Sequence, residues 1–94
     1  MSSITRQGCP ASKRDVWVRR TQGENALYDP ATGTVHMLNE TAQAIWELCD
    51  GETLPEEMIS AICQLFSMHR DVVTEDIERI LGDLDRAGLI SWVS

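Results

Sequence analysis

Apolar positions along the chain change period near residue 39. Before it, Asp15–Arg20, Asn25–Tyr28 and Thr34–Leu38 form three short runs of β type, separated by Thr21-Gln22-Gly23-Glu24 and by Asp29-Pro30-Ala31-Thr32-Gly33. Both separators are made of turn formers at hairpin length, so the runs predict a three-strand antiparallel meander. Its middle strand pairs on both sides. The outer edge of Thr34–Leu38 is then left with unpaired backbone N–H and C=O groups unless something covers it.

From Asn39 onward the period is helical. Leu38, Ala42, Ile45, Trp46 and Cys49 fall on one stripe, with Asn39 placed to N-cap the helix and Gly51 to stop it. Thr53-Leu54-Pro55-Glu56 reads as a capping box with Pro in the first turn. The buried face of this second helix is Leu54, Met58, Ile59, Ile62, Cys63 and Phe66, and it ends near Met68. A third helix, capped by Asp71 or Thr74, carries the stripe Val73, Ile77, Ile80, Leu81 and Leu84, and Gly88 closes it with Leu89 and Ile90 packing back. Trp17, Trp46 and Trp92 are expected in the core. Residues 1–12 hold too few apolar side chains to bury and are expected to form a flexible N-terminal tail, leaving 13–94 as the domain. Ser91–Ser94 is either loose or a short extended piece. The expected fold is α+β, a three-stranded antiparallel sheet followed by three helices, similar in outline to a winged helix.

Composition narrows the function classes. At 94 residues the chain supports one small core. Fifteen acidic residues against 8 basic give a net charge of −7, and the charge is uneven: residues 1–38 sum to +2 and residues 39–94 to −9. The third helix, where a winged helix would read the major groove, carries Glu75, Asp76, Glu78, Asp83 and Asp85 against Arg79 and Arg86. Such a surface repels phosphate, so nucleic acid is not an expected partner. No apolar run is long enough to span a bilayer and the N-terminus lacks a secretion signal, so a cytoplasmic protein without a membrane partner is expected.

Catalytic chemistry is sparse. The two histidines are His36 and His69, the latter in an interhelical loop, and the sequence contains no nucleophile-elbow, HExxH, phosphate-loop or EF-hand motif. Cys49 and Cys63 lie on apolar stripes, where cysteine serves as a small hydrophobe, and Cys9 lies in the tail segment; no C-x-x-C pair exists. No catalytic residue, metal site or cofactor is expected.

An interaction surface remains. The edge Thr34-Val35-His36-Met37-Leu38 can accept an extended peptide as a fourth strand, and the third helix can wall the groove beside it. The alternatives are an edge covered by a loop or by a second copy, giving a monomer or a strand-paired dimer, and an acidic, winged-helix-like regulatory module. The segment from Tyr28 to Gly51, YDPATGTVHMLNETAQAIWELCDG, together with the ending LGDLDRAGLI, resembles PqqD and the related RiPP recognition elements, which bind the leader of a ribosomally made precursor peptide. The resemblance covers roughly residues 15–92. It implies a precursor leader peptide as partner, lying antiparallel on the third strand beside the third helix, and a leader protease, cyclase or radical enzyme that receives the attached core. Carried over by position, it implies contacts from Thr34, Val35, His36 and Met37 on the strand and from Val73, Asp76, Ile77, Ile80 and Leu81 on the helix. The wording DPATGTVHMLN with Trp46 is more similar to stand-alone leader binders of lasso-peptide clusters; Cys49-Asp50-Gly51 is shared with PqqD itself, a peptide chaperone of pyrroloquinoline quinone biosynthesis.

Overall fold

In the computed structural model, which describes residues 8–22 and 24–93, the chain runs β1 (Cys9–Ser12), β2 (Trp17–Thr21), β3 (Glu24–Asp29), β4 (Thr34–Leu38), α1 (Glu40–Glu47), α2 (Pro55–Phe66), α3 (Arg70–Arg86) and β5 (Ile90–Val93). The meander is present in the expected order, β2-β3-β4. Its second turn is built by Asp29, whose backbone O accepts from Gly33 N at 2.8 Å and whose Oδ1 accepts from Ala31 N at 3.0 Å. Gly33 takes φ +71°, a conformation only glycine adopts without strain. Lys13 Nζ donates to the buried Asp29 Oδ2 at 2.7 Å, which pins this turn to the segment entering β2 and holds the Asp29 carboxyl below its usual range.

The helices follow the apolar stripes, and the fully buried side chains Leu27, Ile45, Met58, Ile62, Ile77 and Leu84 join the sheet's inner face to all three. Burying such side chains is the dominant favourable contribution to folding. Asn39 caps α1 as expected, its Oδ1 accepting from Ala42 N at 2.8 Å. The end of α3 also matches: Gly88 N donates to Asp85 O and Leu89 N to Leu84 O, with Gly88 at φ +71°, the pattern of a Schellman stop. No helix among the described residues is long and apolar enough to cross a membrane.

Several expectations are corrected. The segment read as a tail divides: residues 1–7 lie outside the described residues, whereas Cys9–Ser12 is a strand paired antiparallel with Ile90–Val93. This second sheet joins segments some eighty positions apart, so no local period announces it. It also explains why α1 stops at Glu47 rather than continuing to Gly51. Cys49 O accepts from Ser12 N at 2.8 Å and Pro10 O from Gly51 N at 2.9 Å, so the backbone after Leu48 turns out of the helix to meet β1. At α2 the reciprocal capping group is Glu57, whose Oε1 accepts from Leu54 N at 2.9 Å, one residue later than expected; Thr53 instead donates to Asp50. α3 begins at Arg70 after His69, without side-chain capping by Asp71 or Thr74. Trp46 is core, but Trp17 is 67% exposed on the outer face of the sheet, stacked edge-on to Tyr28.

Candidate functional site

The free edge of β4 is the first element of the site. β4 pairs with β3 alone among the described strands, and the register Tyr28↔Val35 and Leu27↔His36 fixes its faces. Leu27 is fully buried, so Thr34, His36 and Leu38 point toward the helices, while Val35 and Met37 point outward and are 60% and 56% exposed.

α3 packs mainly on α2, and to a lesser extent on α1 and β5, rather than on β4. The separation leaves a cleft of about 220 Å³ lined by His36, Met37, Leu38, Asn39 and Ala42 on one side and by Arg79, Ile80, Asp83 and Leu84 on the other. Its floor is apolar, since Leu38, Ala42, Ile80 and Leu84 are each at least nine-tenths buried. Its rim is polar and charged. Arg79 donates to Asp76 Oδ1 at 3.3 Å, and Arg86 donates to Asp83; both pairs are exposed and of i,i+3 type, so each contributes little to stability. An unpaired strand edge above an apolar floor with a polar rim suits an extended peptide, which satisfies its backbone on the edge and drops alternate side chains into the cleft.

Of the residues singled out from sequence, the structure brings together His36, Met37 and Ile80 at the cleft, with Thr34 and Val35 on the same strand. Asp76 lies one turn before Ile80 and reaches the rim through Arg79. Val73, Ile77 and Leu81 are core and, unlike Ile80 and Leu84, do not line this cleft. The contact set expected from sequence left out Asn39, Ala42, Arg79 and Leu84, which also line the cleft. Arg79 flanks Ile80 at the border of the apolar stripe, which was the available signal for it, and Asn39 was recognised only as a cap.

Away from the cleft, Asp50 accepts from Glu52 N and Thr53 N, both at 2.8 Å, and these bonds hold its carboxyl below the usual range. Burial pushes the Cys49 thiol up to about 12, with the Asp50 charge adding to it. Such a thiol is a poor nucleophile at neutral pH.

Comparison with known proteins bears on the fold. The family model for coenzyme PQQ synthesis protein D (PqqD) matches residues 24–90. No curated protein matches the chain. Among solved structures, TbiB1 in complex with the TbiA(beta) leader peptide is 27% identical with a TM-score of 0.74, the match covering 89% of this chain and 98% of that one. The PqqD truncation of Methylobacterium extorquens PqqCD, described as a functional, stand-alone RiPP recognition element, is 20% identical with a TM-score of 0.72 and 87% of each chain covered. Lasso peptide synthetase B1 complexed with the leader peptide is 23% identical, with a TM-score of 0.72 and coverage of 87% and 96%. At those two lower identities the likeness is one of fold.

Proposed function

The chain belongs to the PqqD family, whose model spans most of it, and on that premise we propose that it is a non-catalytic adaptor that captures the leader of a ribosomally synthesised precursor peptide. The leader adds antiparallel to β4 as a fourth strand and drops side chains into the cleft toward Ile80 and Leu84, leaving the attached core free for a separate protease, cyclase or radical enzyme. The observation that carries this reading is the unpaired edge of β4 directly beside the cleft. The 27% likeness to a protein whose structure holds a leader peptide supports the same ligand class. The wording DPATGTVHMLN with Trp46, more similar to stand-alone leader binders of lasso-peptide clusters, favours that setting over pyrroloquinoline quinone biosynthesis.

The energetics are adequate. Roughly four to six strand hydrogen bonds at about 0.5–1.5 kcal/mol net each, with about two apolar side chains buried at about 1.5–3 kcal/mol each, offset an association cost of at least ~4 kcal/mol. The remainder, about 1–11 kcal/mol, reaches at its upper end the ~8 kcal/mol that micromolar binding requires. The contacts proposed for the leader are Thr34, Val35, His36 and Met37 from the strand, and Ile80, Arg79, Asp83 and, through Arg79, Asp76 from the helix. The test is a fluorescence-anisotropy titration with a labelled leader peptide of a cognate precursor, core residues removed. Saturable binding is expected; none below ~100 µM, about 5.5 kcal/mol, refutes the proposal.

A further inference from the structure

Among the described residues the sheet has a second open edge, on β2, at the opposite end of the β2-β3-β4 order. Beneath it lies a separate cleft of about 600 Å³ bordered by Ser12, Val18, Arg20, Gln43, Trp46 and Glu47. Gln43 is 7% exposed, and its Oε1 is shielded from solvent without a hydrogen-bond donor from the described residues. Its Nε2 is held only loosely, by Glu47 Oε1 at 3.4 Å. The same Glu47 oxygen accepts from Arg20 at 2.8 Å. A buried acceptor without a donor is costly, and the terminal torsion of an amide side chain is broad, so a small turn presents this oxygen to a donor placed in the cleft. On the other face of the same strand the side chains continue from Trp17 to Arg19, since Arg19 pairs with Ala26 and Trp17 with Tyr28. Arg19 is exposed and forms no ion pair among the described residues.

We infer that the β2 edge is a second peptide-docking site, distinct from the β4 edge, which takes an extended segment of a partner protein with hydroxyl or amide side chains turned inward and carboxylates turned outward. The backbone of the segment pairs with Val18–Arg20. Its inward hydroxyl or amide supplies the donor that Gln43 lacks, and its outward carboxylate lies across from Arg19, a favourable cross-strand pairing. The two edges lie at opposite ends of one sheet, so both can be occupied together, and a leader on β4 leaves the β2 site free.

The test uses the full chain, ¹⁵N-labelled, titrated with a blocked peptide of about six residues alternating Thr and Glu, a typical strand length. Expected shifts fall on the amides of Trp17–Arg20 and on the Gln43 side-chain amide, with those of His36–Leu38 unmoved. The matching Thr and Lys peptide should bind at least about threefold more weakly. Gln43→Met, which keeps the volume and removes the acceptor, should keep the thermal transition and weaken the Thr and Glu peptide by about fivefold. Shifts confined to β4, no shift at β2 with the peptide at millimolar concentration, equal binding by the two peptides, or concentration-dependent pairing of two copies through β2 would each overturn the inference.

Discussion

Ile80 and Ile77 sit one turn apart on α3 and separate recognition from folding. Both are buried, but Ile80 also lines the cleft beside β4, whereas Ile77 is fully enclosed. Ile80→Ala removes packing on one flank only, and the space it opens joins the cleft instead of a closed void, so its stability cost should lie at the low end of the usual range, about 2–3 kcal/mol. That corresponds to a transition lowered by about 8–24 °C in a domain of this size. With a starting stability of about 5–14 kcal/mol, the variant stays more than about 95% folded. The leader loses part of its apolar floor, costing about 1 kcal/mol, or about fivefold in Kd. Ile77→Val should cost about 0.5–1.5 kcal/mol of stability with leader affinity unchanged. Urea melts and leader titrations on the same preparations measure both quantities. Unchanged leader affinity in Ile80→Ala, or a loss in Ile77→Val equal to it, would refute the assignment of the cleft as the side-chain pocket.

Three further outcomes are expected. Successive backbone N–H groups of β4 alternate between β3 and the free edge, so proline at one of Val35 and His36 should lower leader affinity in a folded protein while proline at the other disrupts the β3 pairing; circular dichroism identifies which, and two folded variants with undiminished affinity would argue against strand addition. Cys49, buried and with its thiol raised to about 12, should resist a thiol reagent at pH ~8 in the native protein while the half-buried Cys9 and Cys63 are labelled, and peptide mapping after the reaction checks this. The lowered carboxyls of Asp29 and Asp50 contribute stability that is complete above the ordinary carboxylate range and is lost as pH falls from about 4 toward their folded values. Denaturant melts across that window should show Asp29→Asn with a weaker acid dependence than the parent, and an unchanged slope would remove Asp29 from the account.

Much of this architecture is legible in the sequence because it rests on local rules. The turn at Asp29–Gly33, the cap at Asn39 and the stop at Gly88 are each set by a residue whose backbone or side-chain chemistry suits that position. The α3 stripe was likewise legible, though its rotation was not. Period alone marks Val73, Ile77, Ile80, Leu81 and Leu84 as apolar; only the packing of α3 against α2, α1 and β5 decides that Ile80 and Leu84 line the cleft while Val73, Ile77 and Leu81 do not. The β1 and β5 pairing was invisible for a different reason. Cys9–Ser12 contains Pro10 and few apolar side chains, and its stability comes from Ile90–Val93 and the Cys49–Gly51 backbone, contacts distant in sequence. Trp17 was misread because aromatic residues in a strand are usually buried, whereas here the alternation fixed by Leu27 and Val18 turns Trp17 to the open face.

The most direct test of the central claim is amide hydrogen exchange of β4 with and without saturating leader peptide. Strand addition predicts new protection at those amides of Thr34–Leu38 that point away from β3, with the inward-pointing ones already protected in the free protein. Saturable leader binding with the outward amides of β4 exchanging as fast as before, and new protection appearing elsewhere, would contradict it.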